Sequence, residues 1–451
     1  MNKENQIVKK KSFLPLAIDK VEDLDISEAL VEDIMLRRLY TIGTSSIKEL
    51  SESLKISFKV ITTIFNRLRK QQFFEISGME GYNYIFSLSG IGRESAGKRF
   101  GYCKYFGPAP VSMKNYCLSV NRQSSKVYID ETKLKTALSD LVVTDRFLRQ
   151  LGPALVSQNS IFVYGPSGNG KTSVVTRLSR IYEDAVFIPY AVEYDGQVIV
   201  LYDPVVHQRI ENKDAGLDPR WVLCRRPCIT VGGELEPSML ELKRDEGSGV
   251  YAAPFQMRAN NGILVIDDFG RQIVSPQYLL NRWIVPLDRR VDYLTLSYGI
   301  KFEIPFEVTV IFSSNLDPQD LADEAFLRRI QNKIYVEPVD AGVFERIFLR
   351  LLDERNLNTD PDSTQYLINL CQKLSGGTLK ACFPADILDI IDSISIYEGK
   401  PIEISKSNLK RATNLYFTKT ISKEDSTLEK PYVDVEKEGI DRLRLAMISN
   451  S

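Results

Sequence analysis

Gly165-Pro166-Ser167-Gly168-Asn169-Gly170-Lys171-Thr172 matches the pattern GxxxxGK[ST] at every constrained position. Each of those positions has a physical role. Glycines let consecutive backbone N–H groups turn inward and approach phosphate oxygens closely. The lysine reaches the β- and γ-phosphates, and the hydroxyl that follows it ligates Mg²⁺. The flanks agree with this reading. Ile161-Phe162-Val163-Tyr164 is a short apolar run suited to a buried parallel strand, and residues 172–181 alternate apolar and polar positions at helical spacing. The spacing predicts a strand, a loop and a helix whose N-terminus adds partial positive charge to the loop. The expected phosphate-holding segment is therefore Gly165, Pro166, Ser167, Gly168, Asn169, Gly170, Lys171, Thr172 and Ser173.

Bulk composition narrows the remaining possibilities. The chain has 451 residues, 58 Lys and Arg, 59 Asp and Glu, and a net charge of −1. That length predicts two or three domains. The balance leaves no global field to draw the molecule onto nucleic acid or anionic lipid. Residues 1–11 are polar and basic, and the apolar stretch after them covers only 13–18 and contains Pro15. This is too short for a signal segment, and no other apolar run approaches a membrane span. A cytoplasmic protein without membrane contact is expected. Six cysteines stand at 103, 117, 224, 228, 371 and 382. Cys224 and Cys228 have the spacing of half a zinc site, but no second half follows, so reduced thiols are expected. A single histidine, His207, argues against Ser-His-Asp or Cys-His chemistry and against a multi-histidine metal centre.

Along the chain the pattern changes several times. Residues 28–40 place Leu30, Ile34, Leu36 and Leu39 on roughly one helical face; Ser46 starts a second helix and Ser57 is the expected cap of a third. Residues 73–76 and 82–88 then flank a turn at 77–81, which predicts a hairpin. Three helices followed by a hairpin resemble a winged helix-turn-helix. The expected divisions are an arm over 1–26, a winged-helix-like domain over 27–102, and a connector over 103–159 with a strand near 126–129. An α/β core over 160–339, a helical lid over 340–420 and a tail over 421–451 follow.

Two further strands carry chemistry. Ile263-Leu264-Val265-Ile266 delivers Asp267-Asp268 at its C-terminal end, where ligands bind in open α/β sheets. Asp267 would hold Mg²⁺ and Asp268 would polarise an attacking water. Residues 306–312 end in Ser313-Ser314-Asn315, and the Asn315 amide could orient that water. A short helix then ends in Arg328-Arg329. One reading makes the pair a solvated helix terminus. The other makes it a finger that reaches the γ-phosphate held by a neighbouring subunit.

This order of phosphate loop, Asp-Asp strand, Ser-Ser-Asn strand, Arg-Arg helix and helical segment resembles the AAA+ ATPases over about residues 160–397. More narrowly, Gly232-Gly233-Glu234-Leu235, Ile266-Asp267-Asp268-Phe269-Gly270-Arg271-Gln272 and Leu280-Asn281-Arg282-Trp283-Ile284-Val285-Pro286-Leu287 are similar to a bacterial group of MoxR-like ATPases. That group is often labelled with chaperone activity and linked by name to pilus assembly. The resemblance implies an α/β P-loop NTPase sheet with a helical lid, ATP and Mg²⁺ as cofactors, and hydrolysis to ADP and phosphate. It implies Lys171 and Thr172 as the Walker A pair, Asp267 and Asp268 as Walker B, and Asn315 as sensor 1. Arg328 or Arg329 would be the arginine finger of a homo-oligomeric ring. The chain departs from the family twice. Many members carry Glu where Asp268 stands, one methylene longer. No sensor 2 arginine is evident, and the candidate there is Lys380, a point charge without a planar fork.

Residues 191–200 around Asp195-Gly196, and residues 292–304 around Ser297-Tyr298-Gly299, predict two hairpins. AAA+ proteins of several clades turn a hairpin at the second place toward a central pore, and residues 232–257 would form its partner insertion. Two functions remain open. One is a ring that remodels a protein partner. The other is a DNA-binding switch acting through residues 46–88, with Lys55, Lys59, Arg67, Arg69 and Lys70 toward phosphates and little turnover. Residues 1–100 hold 16 Lys and Arg against 13 Asp and Glu, a weakly basic balance that favours protein contact.

Overall fold

The computed structural model describes residues 13–417, apart from 81–82, 125–128, 212–213, 215 and 322–323. The expected tail over 421–451, the first twelve residues of the arm and residues 126–128 of the expected connector strand lie outside the described residues. The chain divides into two compact units, Met1–Leu349 with Leu379–Cys382, and Arg350–Thr378 with Phe383–Ser451. Among the described residues, no helix is long and apolar enough to cross a membrane.

The first unit is built on a parallel sheet. Its strands are β1 (Ile161–Tyr164), β2 (Cys228–Val231), β3 (Ile263–Ile266), β4 (Thr309–Ser314) and β5 (Asn332–Tyr335), in the order β2-β3-β4-β1-β5. All four neighbouring pairs are parallel. The continuous apolar runs read from the sequence explain this. Ile263, Leu264, Val265 and Ile266 are all buried, because helices and loops cover both faces. Alternate residues serve different cores: Leu264 and Ile266 pack with Phe162, Phe269, Trp283 and Phe312, whereas Ile263 and Val265 pack with Leu151, Val175 and Ile311. In the segment Leu280 to Leu287, Trp283 fills the first of these cores, and Arg282 pairs with Asp292 (2.6 Å) and Glu241 (2.7 Å). These two residues hold the fold together rather than line the nucleotide edge.

The N-terminal elements are helices Glu28–Ile42, Ile47–Leu54 and Phe58–Lys70, then antiparallel strands Phe74–Glu80 and Asn83–Leu88. Strand Thr44–Ser46 adds a third member to that sheet, and helix Gly90–Tyr102 follows. Ser46 and Glu49 form a reciprocal capping box. Ser57 takes the cap position of the third helix without its side chain accepting a cap bond, and its hydroxyl is buried without a partner. The first hairpin strand runs on to Glu80, not Ile76, because a bulge between Ile76 and Gly78 absorbs one residue. Phe65 anchors this core against Phe86 (4.4 Å) and Phe74 (5.2 Å).

The hairpin of Ala191–Tyr194 and Gln197–Val200 turns on Asp195 and Gly196, both with positive φ, as a two-residue connection requires. Its two faces serve two cores. Ala191 and Val198 pack with the N-terminal helices, while Val192 and Ile199 pack with Val111, Tyr116, Trp221 and Phe302. Val111–Ser112 of the expected connector joins the same sheet, parallel to Ala191–Tyr194. The second expected hairpin forms from Val291–Thr295 and Lys301–Pro305. Its tip reaches the first, since the Tyr298 hydroxyl donates to Asp195 Oδ2 at 2.8 Å. A buried ion cluster ties these parts together. Arg220 pairs with Asp218 (2.7 Å) and Asp25 (2.8 Å), and Asp25 accepts from Ser112 N and Asn115 Nδ2. Burial alone would raise the Asp25 pKa, but Arg220 and these donors hold it below the ordinary carboxylate value.

His207 is structural. Its ring is buried, Nδ1 accepts from Asp203 N (2.9 Å), and Nε2 lies 3.0 Å from the Arg258 carbonyl, which fixes Nε2 as the donor. Burial is the main cause that lowers its pKa from 6.5. The unfolded ring therefore takes up a proton before the folded one does. The stability it supports is complete above pH 6.5 and falls as pH drops through that value toward the folded pKa. We expect proton NMR to show the only imidazole titrating below 6.5. We also expect urea unfolding to lose stability as pH falls from 7 to 5.5, less so in His207→Gln. Titration at or above the ordinary value would contradict the burial argument.

In the second unit, helices Pro361–Leu374, Phe383–Glu398 and Lys406–Tyr416 bury Leu367, Ile368, Cys371, Ile387, Ile391, Leu409 and Ala412. Asp360 and Ser405 cap two of them. Helix Ala341–Glu354 contains the division between the units.

Candidate nucleotide site

The candidate site forms where β1, β3 and β4 end, because parallel strands deliver their C-terminal residues to one edge. After β1 the chain passes through Gly165 to Gly170 and enters helix Lys171–Arg177. Gly165 and Gly168 are required by geometry as well as by φ. Gly165 has φ +140°, and a Cβ there would meet the Val336 carbonyl oxygen at 2.4 Å; Gly168 has φ +83°, and a Cβ would meet Cys382 Sγ at 2.7 Å. The loop is thus a cradle with no room for side chains at either point.

Lys171 is only 6% exposed. Its Nζ donates to the carbonyls of Gly165 (2.8 Å) and Pro166 (3.0 Å) and to Asn315 Oδ1 (2.6 Å). Burial is the leading cause that lowers its pKa, opposed by the nearby Asp268 and Asp267 carboxylates and reinforced by Lys380. Asn315 Nδ2 in turn donates to Asp268 Oδ1 at 3.2 Å. Lys171, Asp268 and Asn315 are far apart along the chain, and they become one run of hydrogen bonds because β4 lies between β1 and β3. Asp268 has φ +49° and is exposed, with its N–H bonded to Asp267 Oδ1 at 3.0 Å. Such a backbone is tolerated by Asp and Asn better than by other side chains. Phe269 N then donates to Ser313 O and Ser314 Oγ to Phe269 O, which locks the acidic turn onto β4.

The donor set fits Mg²⁺. Among the described residues there is no group of three or more His, Cys, Asp or Glu that would hold a metal by itself. Mg²⁺ does not need one, since it is held by one or two carboxylates with phosphates and waters. The Thr172 hydroxyl is exposed and has no hydrogen-bond partner among the described residues, and Asp267 is half-buried at the strand end. Cys224 and Cys228 are free thiols whose pKa values burial pushes up, to about 12 and about 11, the opposite of what a zinc-binding thiolate needs.

Lys380 belongs to the short segment Leu379–Cys382, which lies on the loop. Cys382 N donates to Gly168 O (2.9 Å), Ala381 N to Asn169 Oδ1 (3.3 Å), and Lys380 Cδ is the second nearest atom to a Cβ at Gly168. Beside this segment is a cavity of about 270 Å³, lined by Val142, Val143, Phe147, Val336, Val339 and Ala381 among others, and shared with Asn169 of the loop. Sequence reasoning missed it. Its walls come from four stretches, and apart from the loop itself none carries a motif.

Arg328 and Arg329 do not join this edge. They line a separate cavity of about 440 Å³ with Asn159, Ser160 and Val308, residues that precede β1 and β4. That is the opposite end of the sheet.

A family model described as a domain of unknown function (DUF8689) matches residues 340–415. No curated protein matches the chain. Among solved structures, NtrX from Brucella abortus aligns with a TM-score of 0.40 at 15% identity, covering 65% of this chain and 61% of that one. The P216G mutant of RuvB from Thermotoga maritima aligns with a TM-score of 0.35 at 10% identity, covering 66% of this chain and 72% of that one. The chain thus spans about three fifths of the length of the NtrX chain.

Proposed function

We propose that this chain is an AAA+ ATPase of MoxR-like type that binds ATP with Mg²⁺ and hydrolyses it. The observation that carries the proposal is the hydrogen-bonded chain Lys171–Asn315–Asp268 beside a glycine cradle. Bound Mg²⁺ would neutralise phosphate charge, with Thr172 and Asp267 as its protein ligands. Lys171 would exchange its loop carbonyls for β- and γ-phosphate oxygens. Asp268 would take a proton from water, and Asn315, already bonded to it, would fix where that water stands. The cavity beside Asn169, part polar and part apolar, would take the base, and Lys380 would face the phosphates. Calorimetry with ATP and Mg²⁺ tests this. A saturable heat is expected, and no heat with any purine triphosphate on folded protein would remove the proposal.

Ring assembly and a protein partner are the further parts of this reading. The joined hairpin tips at Tyr298 and Asp195 are the surface proposed to meet that partner. The DNA reading is the weaker one. Of the five basic residues it needs, Arg67 is paired with Glu28 and Glu32, Lys59 with Asp19, and Arg69 stacks 5.5 Å over Tyr84. A titration with duplex DNA at two salt concentrations separates the two. We expect no binding even at low salt; affinity that collapses as salt rises would establish phosphate contacts and favour the switch.

A further inference from the structure

We propose that Gln272 is a positioning residue for the acidic turn: its side-chain amide sets where the Asp268 carboxylate stands, and so governs turnover without touching nucleotide or metal. This rests on the nucleotide reading above and deepens it. The turn from Asp267 to Gly270 contains two left-handed residues, Asp268 at φ +49° and Gly270 at φ +104°. An exposed aspartate keeps such a backbone only where its neighbours over-determine it. On one side those neighbours are on β4, where the Ser313 carbonyl accepts from Phe269 N (2.7 Å) and the Ser314 hydroxyl donates to Phe269 O (2.6 Å).

On the other side the fastening is a single side chain. Gln272 Nε2 donates to Asp267 O (2.8 Å), and Gln272 Oε1 accepts from Gly270 N (2.8 Å). These partners fix the orientation of the amide, since a carbonyl only accepts and a peptide N–H only donates. One planar group therefore spans both ends of the turn, with Asp268 and Phe269 between them. Gln272 is half-buried, and the residues after it place its backbone. Ile273 N donates to Gly233 O and Val274 N to Leu235 O, both at 3.3 Å, and Val274 and Leu235 are buried in one core. The stretch that follows β2 thus holds Gln272, and Gln272 holds the turn that follows β3.

The two carboxylates depend on this bridge unequally. Asp267 N donates to Val231 O (2.8 Å), which continues the β2–β3 ladder, so Asp267 keeps its place without Gln272. Asp268 lies beyond the ladder. Its N–H bonds Asp267 Oδ1 and its carbonyl accepts from Arg271 N (3.0 Å each), both within the turn. Loosening the turn therefore displaces the residue read as the base and leaves the residue read as the metal ligand. A catalytic group misplaced by about 1 Å costs on the order of a hundredfold in rate.

The test compares wild type, Gln272→Met, Asp268→Asn and the double variant. It measures single-turnover hydrolysis, binding of a fluorescent ATP analogue with Mg²⁺, and thermal unfolding. Gln272→Met keeps the length of the side chain and removes both bonds. Its hydrolysis rate should fall about ten- to hundredfold, with nucleotide affinity within about threefold of wild type. In the Asp268→Asn background the same substitution should cost less than about twofold, because the group it positions is already gone. Gln272→Glu keeps the acceptor for Gly270 N and loses the donor for Asp267 O, so its rate should lie between wild type and Gln272→Met. It takes the place of Gln272→Met if that variant does not fold. Wild-type turnover in either folded variant, affinity that falls in step with the rate, or an equal fractional loss on top of Asp268→Asn would overturn the proposal while leaving the nucleotide site standing. Absence of nucleotide binding in the wild type would remove the underlying reading and this proposal with it.

Discussion

Lys171→Ala is expected to lower Mg²⁺–ATP affinity about a hundredfold or more and to abolish turnover. Each charge-assisted hydrogen bond from an ammonium to phosphate is worth roughly 1.5–3 kcal/mol, so losing two of them reaches that range. The structure adds a second reason. Lys171 Nζ bonds the Gly165 and Pro166 carbonyls, so it also holds the loop in its cradle shape. Its removal leaves those carbonyls and Asn315 Oδ1 without their donor. Calorimetric titration gives the affinity, and thermal unfolding shows whether the fold survives. The loop is supported elsewhere, by Cys382 N on Gly168 O and by strand β1, so a small drop in unfolding temperature is expected. A folded Lys171→Ala protein that binds ATP as the wild type does would place the nucleotide elsewhere.

Asp268→Asn should separate binding from chemistry. The substitution keeps size and shape, and Asn accepts the left-handed backbone that Asp268 adopts at φ +49°. The amide oxygen can still accept from Asn315 Nδ2. What disappears is the basic carboxylate, and loss of a general base costs about 10²- to 10⁴-fold in rate. ATP affinity should stay within about threefold of wild type, since this residue is given no direct role in holding phosphate. Single-turnover hydrolysis and a binding titration on the same sample measure both. If affinity falls as steeply as the rate, Asp268 supports the metal, and the division of roles between Asp267 and Asp268 has to be reversed.

Some of this was legible from the chain. Four consecutive apolar residues before Asp267 announced a strand buried on both faces, because only such a strand excludes polar residues from every position. Asp195-Gly196 announced a tight hairpin, because both residues there must tolerate positive φ. Other features were not legible. The hairpin strand extended past Ile76 because a bulge, which depends on register with a partner strand, absorbs a residue. The cap at Ser57 lacks its hydrogen bond, since packing rather than local preference oriented that hydroxyl. The cavity walled by Val142, Val339 and Ala381 had no local signal at all.

The sequence by itself determined the elements and the chemical groups: a glycine loop with Lys171 and Thr172, carboxylates at 267 and 268, an amide at 315. Periodicity and turn chemistry act over a few residues, so they can be read without a partner. Only the tertiary structure decided which groups meet. Strand order put Asn315 between Lys171 and Asp268, carried Arg328 to the other end of the sheet, and returned Leu379–Cys382 to the loop. Those outcomes depend on which apolar faces bury one another across long separations, and no local pattern records that choice.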